Sequence, residues 1–459
     1  MLSRSSFGRQ AQRALQRQCR AQPANRRGLA APASGSFNYD TGDASGIKYA
    51  SRDMSGPTTT LALVSKAGTR YQYLPGLTEG LEKYAYRGTE RRSALRIVRE
   101  AELLGAELQT THSRESLIVG AKFLRDDLPY FVELLAEVAT KTKYLPHVYH
   151  EEVMPLIALA HKKFLASTKE MALSSVHGLA FHRGLGTPLY PSSSTPYTKY
   201  LDADTIEEFA SAAYAKGNFA IVANGAEHSD LSKWVGEFFT DVPSSGGQSL
   251  QSPQTKYYGG EERIAHGSGN TMVLAFPGSS SYTGGFYKPE IAVLAALLGG
   301  ESSIKWSSGF SLLSKAASKN PGVSVKTKSA IYSDAGLLYV IIHGSAKQVA
   351  GTAQEVVKTI KSIAGGEISK EDIMKARALA KFKELEHGQT IMGSLELTGA
   401  GLVQGGKPYQ LDETAKAIDG VTEDQVKKTA KSLLDYRASV SSVGDLFQLP
   451  FAEELGLKV

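Results

Sequence analysis

The sequence predicts an α+β protein made of two homologous halves, each a mixed, mostly antiparallel sheet with helices packed on it. In both halves of the 459-residue chain, short apolar runs typical of strands are interspersed with longer runs of helical periodicity. These elements recur in the same order about 220 residues apart. Between the copies, residues 243–255 consist mainly of Ser, Gly, Gln and Pro, a composition typical of a linker. We therefore expect domains at 37–242 and 259–459, joined by a linker at 243–258.

The first half begins with two strands and continues with helices and further strands. Its predicted strands are 46–51, 58–65, 107–112, 115–122 and 219–224. The second helix of this half, which follows one within 76–89, has an apolar stripe formed by Ala94, Ile97, Val98, Ala101 and Leu104. The helix at 126–139 is expected to bury Leu128, Val132 and Leu135. A later helix is expected to begin with a capping box at Thr205 and Glu208.

The second half repeats these signals in the same order. The strands at 271–276 and 337–343 correspond to 59–64 and 117–123, and a helix at 349–363 corresponds to the one beginning at Asp126. The capping box that begins at Thr422 follows the one at Thr205 by 217 residues, and Gly444 follows Gly225 by 219. Several matches at nearly one offset indicate a duplicated domain.

The N-terminal segment, residues 1–36, is predicted to be a mitochondrial transit peptide. It contains seven Arg, no Lys and no acidic residue, with Ser and Ala between the arginines. The alternative interpretation is a basic arm that binds nucleic acid. Because the whole chain has a formal charge of +6, removing these seven charges leaves −1, too little basic character to bind a phosphate backbone. We therefore expect no nucleic-acid partner.

Cysteine and apolar-run content exclude several other classes. The single cysteine, Cys19, lies in the N-terminal segment, so the remaining chain has no residues for a disulfide, an iron-sulfur cluster or c-type haem attachment. No apolar run approaches the ~20 residues that span a bilayer. We therefore expect any membrane contact to be made through partner subunits.

Two histidine groups are candidate metal ligands. His147 and His150 precede Glu151 and Glu152, but this cluster also fits the start of a helix, where acidic residues are favourable. A second pair, His177 and His182, is five residues apart, which does not fit one-turn spacing on a helix, so we interpret it as structural.

The most informative segment is residues 76–89, GLTEGLEKYAYRGT, which follows an alternating strand. In the inverted zincin motif H-x-x-E-H, two histidines four residues apart bind zinc and the glutamate acts as a general base. The corresponding positions here are Glu79, Glu82 and Lys83. The flanking residues resemble the pitrilysin-like family, in which the segment reads roughly G-x-x-H-x-x-E-H-x-x-F-K-G-T. The residues that match this frame are Gly76, Glu82, Tyr86, Arg87, Gly88 and Thr89.

Both histidine positions are therefore changed, and only the position of the base is retained. A catalytic zinc site needs about three protein ligands, and an ammonium group with a pKa of about 10.4 is a poor one. The family's third ligand, a Glu some 75 to 80 residues further on, has no counterpart in 157–161, which reads IALAH. We expect no catalytic residue, no metal site and no cofactor. The simplest role for Glu79 and Lys83 is an i,i+4 ion pair on a helix surface.

The resemblance covers nearly the whole chain after the N-terminal segment and implies the pitrilysin-like, LuxS-metallohydrolase-like architecture. It also implies one of two roles for a mitochondrial member without zinc ligands: a core subunit of the cytochrome bc1 complex, or the non-catalytic alpha subunit of the processing peptidase. The alpha subunit has a long glycine-rich loop early in its second half. Here residues 298–313 contain three glycines together with Ile304, Trp306 and Phe310, which favours the core subunit.

Partners follow from the same resemblance. A core subunit is expected to contact core protein 1, or a processing-peptidase beta-like subunit, together with cytochrome b, cytochrome c1 and the Rieske protein. It is expected to lie on the matrix side of the mitochondrial inner membrane and to support ubiquinol-to-cytochrome c electron transfer. A third possibility is an independent module that captures an extended peptide at an exposed strand edge.

Overall fold

The structure is a computed structural model that describes residues 38–53, 56–191, 199–244, 250–300, 309, 311–320 and 322–459. The predicted transit peptide, residues 1–36, lies wholly outside the described residues. Ile304, Trp306 and Phe310, which favour a packed rather than an open loop, also lie outside them.

Within the described residues, the first half forms a six-stranded sheet with helices around it. The strands are β1 Asp40–Ala44, β2 Ile47–Arg52, β3 Thr58–Ser65, β4 Glu107–His112, β5 Leu117–Leu124 and β6 Phe219–Asn224. They are ordered β1-β2-β6-β3-β5-β4, and all neighbours are antiparallel except the parallel pair β2 and β6. The helices are α1 Leu77–Tyr84, α2 Ala94–Leu103, α3 Leu128–Thr140, α4 Met154–Ala166, α5 Thr168–Phe181, α6 Ala203–Ala213 and α7 His228–Phe238. A short helical turn, Pro146–Val148, and a π-helical turn, Tyr149–Val153, lead into α4.

Where the structure describes it, the second half repeats this arrangement in a five-stranded sheet. Its strands are β7 Gly260–Ala265, β8 Asn270–Pro277, β9 Ser324–Ile331, β10 Gly336–Gly344 and β11 Ser439–Gly444. Its described helices are α8 Pro289–Leu298, α9 Leu312–Ala317, α10 Ala346–Gly365, α11 Lys370–Gln389, α12 Ile391–Ala400, α13 Leu411–Asp419 and α14 Glu423–Asp435. The order β7-β11-β8-β10-β9, with β7 parallel to β11, is the order β2-β6-β3-β5-β4 of the first sheet. The predicted α+β fold with two homologous halves is therefore confirmed.

Local sequence signals were mostly sufficient to locate these elements. Leu128, Val132 and Leu135 are buried on α3 as predicted. In contrast, Val98 is 45% exposed, so the predicted stripe on α2 is narrower than expected.

The predicted cap of α6 is wrong. The N-cap is Asp202, whose side chain accepts a hydrogen bond from the backbone N–H of Thr205, and Thr205 is the third helical residue rather than the cap. Thr422 caps α14 as predicted. Because Asp202 and Thr422 are 220 residues apart and Gly225 and Gly444 are 219 apart, the corrected cap fits the repeat better.

Helices pack on both faces of each sheet. On one face of each sheet, the packing helix belongs to the other half of the chain. Helix α5, from the first half, packs on β8 and β11, and its Val176 and Ala180 belong to one buried cluster with Val273 and Ala275. Helix α12, from the second half, packs on β3 and β6. The sequence did not predict this exchange. It explains why β3 and β6 are buried on both faces, so that the strand at 58–65 does not alternate between buried and exposed residues as the sequence suggested.

The approach of α12 to the first sheet depends on a glycine. A Cβ atom added at Gly399 would lie 2.5 Å from the Cβ of Val64 on β3, closer than packed carbons approach. Gly399 therefore permits the helix to lie directly on the strand.

A buried polar cluster also joins the two halves, where the turn between β4 and β5 meets the turn between β9 and β10. Arg70 donates hydrogen bonds to Glu115 at 2.7 Å and to both carboxylate oxygens of Asp334 at 2.7 Å. The backbone N–H of Ser333 donates to Glu115 at 2.8 Å, and that of Thr255 donates to Asp334 at 2.9 Å. The Arg70 side chain is only 4% exposed, so this cluster is a buried ionic contact between the halves.

Among the helices of the described residues, we find none with the length and apolar character needed to cross a membrane.

Candidate functional site

The segment that resembles a zinc-peptidase motif forms α1, a helix buried on nearly all sides. It starts after Gly76, which has a φ of 95° that favours glycine. A Cβ at Gly80 would lie 2.6 Å from Cδ1 of Ile206, so α6 lies directly against this helix. The helix also contacts β4 and α4. The carboxylates of Glu79 and Glu82 are therefore enclosed by protein rather than by solvent.

Glu82, at the position of the catalytic base, contacts two basic side chains, Lys83 and His112. Its Oε1 accepts a hydrogen bond from Nζ of Lys83 at 2.8 Å, and its Oε2 lies within hydrogen-bond distance of Nδ1 of His112, the last residue of β4. Burial alone would raise the pKa of Glu82, but the hydrogen bonds and charges of His112 and Lys83 hold that pKa below its usual value. The structure thus places an ionised, fully paired carboxylate here.

Glu79, at the first histidine position, has the opposite environment. The residue is 1% exposed, and neither of its carboxylate oxygens accepts a hydrogen bond from any described residue. Burial raises the pKa of Glu79 to about 7. His112 and Lys83 reduce this rise, and the negative charge of Glu82 increases it. The expected ion pair between Glu79 and Lys83 is therefore wrong, because Lys83 pairs with Glu82 instead.

The residues that match the family frame shape the turn after α1. Tyr86 has a φ of 64°, is buried, and donates its hydroxyl hydrogen to the carbonyl oxygen of Gly120 at 2.9 Å. Gly88 has a φ of 142°. Thr89 donates to the buried carboxylate of Glu137 at 2.9 Å. Since each of these contacts lies within the protein, the preserved frame maintains structure even though the metal-binding positions have changed.

These residues do not fit a catalytic zinc ion. The ammonium group of Lys83 occupies one ligand position and is paired with Glu82, and Glu79 occupies the other. In the part of the chain that the structure describes, no group of three or more His, Cys, Asp or Glu side chains is placed to hold a metal ion. A water activated by zinc, which the peptidase reaction needs, has no ligand set here.

The space beside Glu82 and Lys83 is an open groove of 250 Å³. Its walls come from α1, the turn after it, α2 and β4, and include Tyr86, Val98 and Leu108. The exposed side chain of Val98 lines this groove. The groove is smaller than the ~300–1,000 Å³ of most ligand pockets, so it gives no independent indication of a small-molecule substrate.

The other histidine candidates are not brought to this site. His147 and His150 are exposed on the turns before α4. His177 is buried on α5, with one ring nitrogen facing the carbonyl oxygen of Leu173 at 2.6 Å and the other the hydroxyl of Tyr332 at 2.8 Å. Burial and the nearby charge of Arg114 hold the pKa of His177 well below its usual value. His182 stacks on the ring of Tyr258, with ring centroids 3.9 Å apart.

Sequence reasoning missed His112, which contacts the site although it is 30 residues away from Glu82. The available signal was strand alternation, which places Leu108, Thr110 and His112 on one face of β4. Nothing in the local pattern indicates that this face meets α1.

Two family models match the chain. The model described as Insulinase (Peptidase family M16) matches residues 48–191, and the one described as Peptidase M16 inactive domain matches residues 200–379. The chain is 50% identical to cytochrome b-c1 complex subunit 2, mitochondrial, of Neurospora crassa over 459 residues, covering 100% of both chains. It is 36% identical to the protein of the same name from Schizosaccharomyces pombe, covering 91% of this chain and 95% of the relative. It is 28% identical to the protein of the same name from Rattus norvegicus, covering 89% of this chain and 90% of the relative.

Proposed function

The chain belongs to peptidase family M16, and we propose that it is a structural, non-catalytic core subunit of the mitochondrial cytochrome bc1 complex. The observation that carries this proposal is the 50% identity over the full length of both chains to a relative named as subunit 2 of that complex. The site supports the non-catalytic part of the proposal, because Glu79 and Lys83 replace the two histidines and the carboxylate of Glu82 is already paired. The chain thus supports ubiquinol-to-cytochrome c electron transfer without taking part in its chemistry.

The finer parts of this proposal concern location and partners. The basic N-terminal segment would direct the chain into the mitochondrion and be removed there, leaving domains near 37–242 and 259–459 joined at 243–258. The mature chain would sit on the matrix side of the inner membrane and reach it only through its partners. Those partners would be core protein 1 or a processing-peptidase beta-like subunit, cytochrome b, cytochrome c1 and the Rieske protein.

Permanent assemblies of this kind usually bury ~2,000 Å² or more, with an apolar centre. Deletion of the chain should therefore prevent assembly of the complex rather than slow its turnover. The test is to express the wild-type chain or the Glu82→Gln variant in cells that lack it, and to measure both the amount of assembled complex and its turnover per cytochrome c1.

We expect turnover per complex to be the same for the two chains. In a working peptidase, removal of the general base costs at least ~10² in rate, so a matching loss of peptide cleavage in the Glu82→Gln cells would show that the chain is a catalytic peptidase instead. We also propose that the purified chain holds no stoichiometric zinc. About one zinc per chain after dialysis against micromolar zinc, lost in Glu82→Gln, would contradict this.

A further inference from the structure

His112 faces two hydrogen-bond acceptors from different parts of the chain. Its Nδ1 lies next to Oε2 of Glu82 on α1, and its Nε2 lies 3.3 Å from the carbonyl oxygen of Leu189, in the segment that follows α5. The side chain is only 4% exposed, and the ring of Tyr190 meets it edge-on with centroids 5.7 Å apart. The imidazole therefore connects α1, β4 and the chain after α5.

This geometry constrains the protonation of the ring. A carbonyl oxygen can only accept a hydrogen bond, and Glu82 is held in its ionised form, which also only accepts. A neutral imidazole carries one N–H and could satisfy one of the two acceptors, whereas an imidazolium carries two and satisfies both. His228 provides a contrast, because its ring nitrogens face the hydroxyls of Ser51 at 2.8 Å and Tyr49 at 3.3 Å. Since a hydroxyl can donate or accept, a neutral ring fits there.

The carboxylate of Glu82 also lies between two basic side chains. The ammonium of Lys83 and a protonated His112 bring two positive charges to its carboxylate, the charge that a zinc ion would supply. The other titratable groups that face the ring are Glu79 on α1 and Tyr190. Glu79 is buried and Tyr190 is half-buried.

We propose that His112 is held as an imidazolium that replaces the metal ion of the family's active site as the cation joining α1, β4 and the segment at Leu189. Arg114 holds the same segment that His112 contacts at Leu189. Its guanidinium donates to the carbonyl oxygens of Leu185, at 2.8 Å, and of Thr187. Two cationic side chains from the end of β4 thus hold alternate carbonyl groups of one segment.

The protonation state can be measured directly. In the full chain with ¹⁵N-labelled histidine, resonances are assigned by comparison with His112→Gln and His228→Gln. At neutral pH, a free histidine with a pKa of about 6.5 is mostly neutral. We expect both ring nitrogens of His112 to have the ¹⁵N chemical shift of a protonated nitrogen at that pH. We expect His228 to show one protonated and one unprotonated nitrogen. One unprotonated nitrogen in His112 would overturn the proposal.

The role in joining the segments needs a second measurement, because a variant could simply weaken packing. Hydrogen exchange of α1 is compared in the assembled complex containing wild type, Glu82→Gln, His112→Gln or both, with His228→Gln as the matched control. We expect His112→Gln to speed exchange of α1 by about tenfold or more in the wild-type background. When Glu82 is already replaced by Gln, the same His112→Gln change should have little further effect, because the effects of two coupled residues are not additive. If the two single effects multiply in the double variant, or if His228→Gln loosens α1 equally, the two side chains are independent and the proposal fails.

Discussion

Replacing Glu79 by Gln should stabilise the protein at alkaline pH and have little effect at acidic pH. The side chain is buried without a described hydrogen-bond donor, and burial raises its pKa from 4.5 to about 7. The pKa of this carboxyl is higher in the folded state than in the unfolded state, so folding favours its protonated form. The resulting contribution to the unfolding free energy is fully present below pH 4.5, where the carboxyl is protonated in both states. That stability is lost as the pH rises towards 7 and is not regained above it.

The size of the loss follows from the shift. At 1.36 kcal/mol per pKa unit, the difference between 4.5 and about 7 corresponds to about 3 kcal/mol of unfolding free energy. Gln has nearly the same shape and does not titrate. The Glu79→Gln variant should therefore exceed wild type by up to about 3 kcal/mol at pH 8 and converge with it at acidic pH.

The assay is pulse proteolysis of the mature chain in urea at dilute concentration, repeated across this pH range. Glu102→Gln on the exposed face of α2 is the matched control and should change stability by no more than about 0.5 kcal/mol at any pH. If Glu79→Gln and wild type have parallel stability curves, the carboxyl is not neutral in the folded protein. The physical reasoning about its burial would then be wrong.

Three further predictions test the junction of the halves and the N-terminus. Arg70→Ala should lower the unfolding free energy by about 3 kcal/mol, because it removes the counter-ion of two carboxylates in a buried contact. An effect below about 1 kcal/mol in urea unfolding would show that water screens these carboxylates. Gly399→Ala should cost about 1–3 kcal/mol through its clash with Val64, whereas Gly365→Ala, which has nothing within 4 Å, should cost nothing; equal effects would contradict the close packing of α12. N-terminal sequencing of the mitochondrial protein should begin between roughly Gly28 and Asn38, and recovery of Met1 would exclude the transit peptide.

The features predicted well from sequence are those that local chemistry determines. Periodicity identified the inner face of α3, and the capping box at Thr422 marked the start of α14. The cap of α6 was misplaced because Asp202 and Thr205 both have side chains suited to an N-cap, and only the structure shows which one occupies it.

Long-range packing accounts for what the sequence did not predict. The motif identified the position of Glu79, but its burial depends on α6 and β4 covering a short helix that would otherwise be exposed. The contact between Glu82 and His112 joins a helix to a strand edge, and the exchange of α5 and α12 joins the two halves. None of these leaves a periodic trace in its own segment, although the apolar runs of β3 and β6 are consistent with burial on both faces.

The central claim is that this chain is a permanent, non-catalytic subunit of the cytochrome bc1 complex. It is tested most directly by tagging the chain, extracting mitochondria with mild detergent, and measuring the subunit composition and activities of the purified assembly by native electrophoresis and mass spectrometry. We predict one copy of the chain for each cytochrome c1, together with ubiquinol:cytochrome c reductase activity. Recovery of a soluble heterodimer that cleaves presequences and contains no cytochrome would contradict the account.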